Sequence, residues 1–343
     1  MARPRVLLLC GGRSEEHEVS LASARSVLAA AGERLAITPL VISKSGRRLS
    51  EEASKRALMN GHAHTSGTSL EADSLPSLLS LPAGRFDVVF PLLHGPWGED
   101  GSVQGLLKLL GLPFVGSGVL GSAVGMDKLM MKAVFAAHGF PQVPYEGVSR
   151  KDWAEEPERV VARLETLGYP LFVKPANLGS SVGIGKATDK RTLERALGEA
   201  ARHDRRIIVE RGLNEVRELE VAILGNDRPE ASAVGEIRYG SDFYDYEAKY
   251  SEGKAQLIIP APLPRRVSEQ CRAIALSAFS AIDGAGLARV DFFYTPNQRL
   301  YLNEINTMPG FTTTSMYPKL WQQGGLGYPD LISRLVELAL EAR

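Results

Sequence analysis

The chain has 343 residues, of which 44% are hydrophobic, so its length suits two or three domains, each with a core of its own. Forty Lys and Arg balance forty Asp and Glu, which leaves no basic field for nucleic acid or an anionic membrane and makes a small molecule the expected partner. Only Cys10 and Cys271 are present, without a C-x-x-C spacing, which argues against a disulfide framework or a zinc site and for buried thiols in a reducing cytoplasm.

The opening stretch RVLLLCGGRSEEHEVSLASARSVLAAAG reads as a continuous apolar strand, a Gly-Gly turn and a helix ending at Gly32. A strand apolar at every position is buried on both faces, as in a parallel α/β sheet. Its apolar run, Val6 to Leu9, is too short for a signal peptide, and no segment approaches the ~20 apolar residues of a membrane span. A cytoplasmic location is therefore expected.

Residues 45–82 are rich in Ser, Ala and Gly and read as an irregular surface excursion; the pair His62 and His64 within it is a solvated loop rather than a metal site. FDVVFPLLHG and SVQGLLKLLGLPFVGS repeat the strand, loop and helix pattern. His94 sits in the loop HGPWGEDG that follows this strand, where a structural role competes with a functional one.

VGSGVLGSAVG is small and flexible in composition, and a domain boundary is expected near it, with a new helix beginning at MDKLMMKAVFAAHGF. The segment LGYPLFVKPANLGSSVGIGK then reads as a strand and a glycine-serine loop. It lacks the Walker A order, yet it offers Ser180 and Ser181 to a phosphate between Lys174 and Lys186. A helix capped by Asp189 and a further strand follow. Beyond residue 213 the chain alternates through ELEVAILG and ASAVGEI to the long loop SDFYDYEAKYSEGK, which is long enough to act as a lid. A helix over 265–283, a hairpin over 287–305 and a helix from Asp330 complete the chain.

The hairpin holds the sharpest chemical signal. Residues two apart on a strand share a face, so Arg289 pairs with Asp291 in ARVDFFY and Glu304 with Asn306 in YLNEIN. A turn centred on Pro296-Asn297 places Arg289 across from Glu304, with Asp291 diagonal to it. The same two-residue period puts Leu300 and Leu302 on the face of Glu304 and Asn306, and Asn303 on the other. Two carboxylates and an amide oxygen suit Mg²⁺ better than zinc; the alternative is an Arg–carboxylate network that only ties the hairpin together. Pro309-Gly310 follows as a tight turn that can offer a backbone N–H, and Arg289 with that N–H can stabilise an oxyanion. At the N-terminus, Ser14 and Glu16 sit at a helix start, where capping is the plain reading.

Taken in order, GGRSEEHEVS, HGPWGEDG, MDK, VKPANLGSSVGI, FYDYEAKY, ARVDFF and NEINTMPGFTTTS resemble the D-alanine–D-alanine ligases of the ATP-grasp superfamily, over nearly the whole chain. The resemblance implies an ATP-grasp fold of the α/β (α+β) class in three domains. These are a Rossmann-like α/β domain over 1–122, a central domain over 123–212 and a C-terminal domain over 213–343. It implies ATP as substrate and assigns Asp291, Glu304 and Asn306 to two Mg²⁺ or Mn²⁺ ions, with room for a monovalent cation. Lys128, Lys174 and Lys249 would contact ATP phosphates beneath a loop carrying Ser180 and Ser181. Glu210 and the backbone near Leu213 would read adenine, and Glu218, chosen over Glu215, would bind ribose. Glu16, Ser180 and Tyr250 would hold the first D-alanine and the lid. His94 would lie near that substrate, and Ser315 with Met316 near the carboxylate of the second. Arg289 and the Gly310 N–H would stabilise the oxyanion.

The implied reaction forms D-alanyl-D-alanine through an acyl phosphate, for peptidoglycan precursors, in a homodimer that binds neither nucleic acid nor membrane. Tyr250 within YEAKY matches the dipeptide-forming members rather than those that use D-lactate. A non-catalytic scaffold would need no metal cluster.

Overall fold

The computed structural model describes residues 3–59, 73–74, 84–179, 183–239 and 255–341. Ser180, Ser181, Lys249, Tyr250, the pair His62 and His64, and the expected lid over 241–254 lie outside the described residues.

The N-terminal elements are β1 (Arg5–Gly11), α1 (His17–Ala31), β2 (Ala36–Ile42), β3 (Arg47–Arg48), α2 (Glu51–Met59), β4 (Asp73–Ser74), β5 (Val88–Pro91) and α3 (Ser102–Leu109). Their sheet has the order β4-β3-β2-β1-β5, and β1 runs parallel to both β2 and β5. Val6 to Cys10 are all fully buried, as a strand covered on both faces requires. Within the excursion after residue 45, the described residues 45–59 are more regular than their composition suggests. β3 closes antiparallel on β2, and α2 buries Ala53 and Leu58 against the core.

The glycine-rich stretch near 120 is helical rather than loose. It forms α4 (Val119–Met126), which runs into α5 (Lys128–Ala137) through Asp127, whose carboxylate accepts from the N–H groups of Leu129 and Met130. A Cβ on Gly121 would come within 2.9 Å of the Asp283 carbonyl, and one on Gly125 within 2.9 Å of Thr307. The small residues permit close helix packing, which their composition alone does not distinguish from flexibility.

β6 (Tyr145–Ser149), α6 (Arg150–Glu155), α7 (Pro157–Glu165), β7 (Leu171–Pro175), β8 (Gly185–Ala187), α8 (Lys190–His203) and β9 (Arg206–Arg211) build a second sheet of order β6-β9-β7-β8. Asp189 caps α8 in a reciprocal box with Thr192, as expected. One face of this sheet packs Leu171, Val173, Ile207 and Val209 on the helices. The other presents Phe172, Lys174, Ile208 and Glu210, which alternate with them and pair across β7 and β9.

The third sheet, of order β12-β11-β10-β13-β14, is antiparallel. It comprises β10 (Arg217–Gly225), β11 (Glu230–Tyr239), β12 (Ala255–Ile258), β13 (Gly286–Tyr294) and β14 (Leu300–Asn306). Helix α9 (Arg265–Ala281) covers one face, and α10 (Met316–Gln323) and α11 (Tyr328–Glu341) complete the chain. Leu219, Val221, Val290, Phe292, Leu302 and Ile305 fill the core that includes α9 residues Cys271 and Phe279. On the opposite face Ala222, Leu224 and Leu287 join the core of the N-terminal unit through Phe311 and Tyr317. Both thiols are buried and pushed up to about 12 by that burial.

The hairpin register differs from the expected one by one residue at the turn and by two beyond a slip in the ladder. Thr295 pairs with Arg299 around a turn in which Gln298 is left-handed, giving Tyr294↔Leu300 and Phe292↔Leu302. The ladder then slips: Asp291 lies opposite Glu304 and Arg289 opposite Asn306, with Asn303 as the extra residue of a bulge. The bulge also reverses the expected face of the leucines. Leu300 and Leu302 are core residues, whereas Glu304 and Asn306 turn to the face that carries Asp291. A regular strand would instead expose Ile305 and bury Glu304. Burial of an isoleucine is worth roughly 1.5–3 kcal/mol, and an unpaired buried carboxylate costs still more, so both terms favour the bulge.

Candidate active site

On the face of the third sheet away from α9, alternation places Glu218 and Glu220 of β10 beside β13, with Glu220 directly paired to Asp291. Asp291 in turn pairs with Glu304, so four carboxylates share one surface with one guanidinium. Arg289 donates from Nε and Nη2 to the two oxygens of Asp291, at 2.7 and 2.6 Å, and its Nε lies 3.2 Å from Glu220. Burial opposes the guanidinium's charge, but Asp291 and Glu220 outweigh it and hold its pKa above the ordinary value. Asn306 is oriented by the Met308 N–H, which donates to its Oδ1 at 3.0 Å.

Lys174 faces these acids from the second sheet. Its Nζ lies 2.6 Å from Glu210, and although burial opposes its charge, Glu210, Glu304 and Glu218 keep its pKa above the ordinary value. Glu210 also pairs with Lys132 at 2.8 Å. Burial alone would raise the Glu210 pKa; the two lysines hold it well below the usual carboxylate range. At the start of α5, Lys128 reaches the Leu178 carbonyl at 2.6 Å, which brings it to the mouth of the glycine-serine loop. Leu213 follows β9 in a half-buried position, while Glu215 is exposed in a left-handed turn. The strand thus gives Glu218, not Glu215, to the acidic face.

Glu16 precedes α1 but its side chain does not cap it, and Ser14 is occupied elsewhere, donating to the His94 carbonyl at 2.6 Å. A Cβ at Gly95 would come within 2.7 Å of Glu16 Oε2, and one at Gly179 within 2.8 Å. The Glu16 carboxylate therefore lies where the first-unit loop and the glycine-serine loop approach each other. His94 is buried, with Nδ1 3.0 Å from the Met308 carbonyl and Nε2 3.3 Å from Ser23 Oγ. Burial lowers its pKa, so it ties this loop to the 308–310 turn as a neutral ring.

Ser315 opens α10, and its Oγ accepts from the Thr312 N–H; a Cβ on Gly310 would lie 3.2 Å from that oxygen. The Met316 side chain belongs to the core, packed on Gly235, which leaves only its backbone for any role in the site.

Three charged residues near this site escaped the sequence reading. Glu220 obeys the same alternation as Glu218. Glu99 lies in the HGPWGEDG loop, buried, and accepts from the Gly95 N–H at 2.5 Å. Lys132 stands one helical turn after Lys128.

Among the described residues no three His, Cys, Asp or Glu side chains gather as a metal-binding group. Mg²⁺ does not need one: it takes one or two carboxylates and completes its shell with waters and phosphate oxygens. Asp291, Glu304 and Asn306 offer such an all-oxygen set on a surface with an excess of negative charge.

Two sheets that face each other across lysines on one side and carboxylates on the other, beside an N-terminal parallel unit, define an ATP-grasp enzyme. Residues 5–117 match the family model for the D-ala D-ala ligase N-terminus, and residues 134–337 the model for its C-terminus. A D-alanine--D-alanine ligase of Deinococcus radiodurans is 56% identical over 342 residues, 99% of each chain. The structure of the D-alanine-D-alanine ligase from Coxiella burnetii matches with a TM-score of 0.81 at 35% identity, covering 99% of this chain and 96% of that one. VanG D-Ala:D-Ser ligase from Enterococcus faecalis matches with a TM-score of 0.82 at 31% identity, covering 98% and 100%. The chain belongs to the D-alanine–D-alanine ligase family.

Proposed function

We propose that the chain joins two D-alanines to D-alanyl-D-alanine for peptidoglycan precursor synthesis, with ATP converted to ADP and phosphate. The γ-phosphoryl group passes to a carboxylate oxygen of the first D-alanine. The amine of the second then attacks the acyl carbon and loses a proton, and phosphate leaves from the tetrahedral adduct. No enzyme nucleophile is required, so the work of the site is positioning and charge neutralisation.

The observation that supports this reading most is the place of Lys174, half-buried between Glu210 of its own sheet and Glu218 and Glu304 of the other. In this reading Lys174, Lys128 and Lys249 hold ATP phosphates under Ser180 and Ser181, while Glu210, the Leu213 backbone and Glu218 hold the nucleoside. Glu16 binds the ammonium of the first D-alanine, with Ser180 and Tyr250 completing its set and His94 fixing the loop beside it. Ser315 and the Met316 N–H receive the second carboxylate. Arg289 and the Gly310 N–H stabilise the oxyanion; a guanidinium has five N–H donors, so its bonds to Asp291 do not exhaust it. Asp291, Glu304 and Asn306 would hold Mg²⁺ or Mn²⁺, which supplies neutralisation of phosphate charge. The reading includes the three-domain division at residues 122 and 212, a cytoplasmic homodimer and room for a monovalent cation. No helix among the described residues is long and apolar enough to cross a membrane.

Phosphate release from ATP, measured with D-alanine, D-serine, D-lactate and L-alanine and with product masses, tests the reading. Turnover with D-alanine alone and a D-alanyl-D-alanine product are expected. Phosphate release only when D-serine or D-lactate is added would reassign the second substrate.

A further inference from the structure

Lys132 is the most deeply buried cation described in the molecule, 1% exposed, and no role above uses it. Its Nζ lies 2.8 Å from Glu210 Oε1, while Lys174 holds the other oxygen, Oε2, at 2.6 Å. The same ammonium lies 5.5 Å from the centre of the Tyr145 ring and 3.4 Å from the Asn303 carbonyl. One carboxylate is thus shared by two lysines, of which Lys174 is the more exposed, its side chain 15% accessible against 2% for Lys132, and feels the charge of Glu304.

We propose that Lys132 is a positioning residue for the nucleotide phosphates: by neutralising Glu210 from behind, it leaves the charge of Lys174 available to an incoming anion. This rests on the assignment of Lys174 as a phosphate ligand. The argument is one of charge balance at low dielectric. Glu210 carries one negative charge, and with two lysines bound the trio keeps a net positive charge on the cleft side. Without Lys132, Glu210 and Lys174 collapse into a neutral buried pair, whose mutual attraction competes with any phosphate. Burial opposes the Lys174 charge, while Glu210, then Glu304 and Glu218 on the facing sheet, favour it.

The readout is the ratio of ADP to adenosine affinity by calorimetry, which isolates the phosphate contribution and cancels any change at the adenine. Lys132→Met lowers this ratio by about tenfold or more. The double variant Lys132→Met/Glu210→Gln restores it, because an amide cannot neutralise Lys174. Glu210→Gln alone leaves the ratio equal to or above that of the natural protein, and this arm stands even if Lys132→Met fails to fold.

Lys174→Met serves as control. A ratio lost in Lys174→Met but kept in Lys132→Met would overturn the proposal and spare the phosphate assignment. A ratio unchanged in Lys174→Met would overturn that assignment and the proposal with it. A Lys132→Met defect that Glu210→Gln does not relieve, and that appears only as a changed divalent-cation requirement, would mean that Lys132 acts through Asn303 on Glu304; that too would overturn the proposal.

Discussion

Asp291 on β13 lies directly opposite Glu304 on β14, and it does so because Asn303 is bulged out of the ladder between them. One extra residue decides which side of the sheet carries the second carboxylate. Deleting Asn303 removes the bulged residue itself, so Glu304 then follows Leu302 directly and keeps its place opposite Asp291, with Ile305 still opposite Val290 in the core. The deletion variant is expected to keep D-alanine-dependent turnover, with a cost of about 0.5–3 kcal/mol in denaturant unfolding from the altered strand. Asn303→Ala keeps the residue count and is expected to behave like the natural protein in both measurements. A deletion variant that folds but loses turnover would contradict the placement of Asn303 as the extra residue.

Arg289 is expected to matter for stability as well as turnover. Its guanidinium is the cation hydrogen-bonded to Asp291 and adjacent to Glu220, and all three groups are largely buried. Arg289→Met removes the cation that these two carboxylates share and should cost about 3–5 kcal/mol in denaturant unfolding. Arg289→Lys keeps the charge but not the paired geometry, so it should recover part of the stability and little of the turnover. Equal unfolding midpoints for the two variants would show that charge pairing is not what Arg289 supplies to the fold.

Gly179 tests the placement of Glu16. Alanine there puts a Cβ about 2.8 Å from the Glu16 carboxylate, a distance that forces the acid to move. Gly179→Ala should raise the KM for D-alanine by about tenfold, or 1.4 kcal/mol, with ADP affinity unchanged. An unaltered KM would separate Glu16 from substrate binding.

Glu99 sets a pH dependence whose sign is fixed by its surroundings. Burial, then repulsion from Glu16, raises its pKa well above 4.5, against the smaller lowering by backbone N–H donors and Arg289. A carboxyl with a folded pKa above its unfolded one favours folding fully below the unfolded value, about 4.3, and loses that contribution as pH rises through the folded value. Glu99→Gln mimics the protonated acid and cannot ionise. Its stability relative to the natural protein should be lowest near pH 4 and climb toward neutrality, as measured by denaturant midpoints across pH. A difference independent of pH would place no raised pKa at this site.

Much of the fold was legible because its signals are local. Val6 to Leu9 announce a strand buried on both faces, Asp189 announces its helix, and the pairing of Arg289 with Asp291 on one face needs only the two-residue period of a strand. What escaped depends on partners far away in the chain. The bulge at Asn303 leaves no mark in composition, yet it reverses the parity on which the reading of Leu300 and Leu302 relied. Lys132 on an amphipathic helix looks like a solvated lysine until β9 brings Glu210 against it. Glu220 becomes a neighbour of Asp291 only through the sheet order, which places β10 beside β13. The glycines near 120 read as flexible because their composition does not show the backbone of Asp283 packed on them.

The central claim is that the acidic face of β13 and β14 and the lysines of the facing sheet form one ATP-dependent ligation site. Its most direct test is D-alanine-dependent phosphate release by Glu304→Gln, measured across divalent-cation concentrations alongside ADP binding and thermal unfolding. The predicted result is a loss of turnover of about a hundredfold or more, with the fold intact and a shifted cation requirement. Undiminished D-alanine-dependent turnover in this variant would contradict the account.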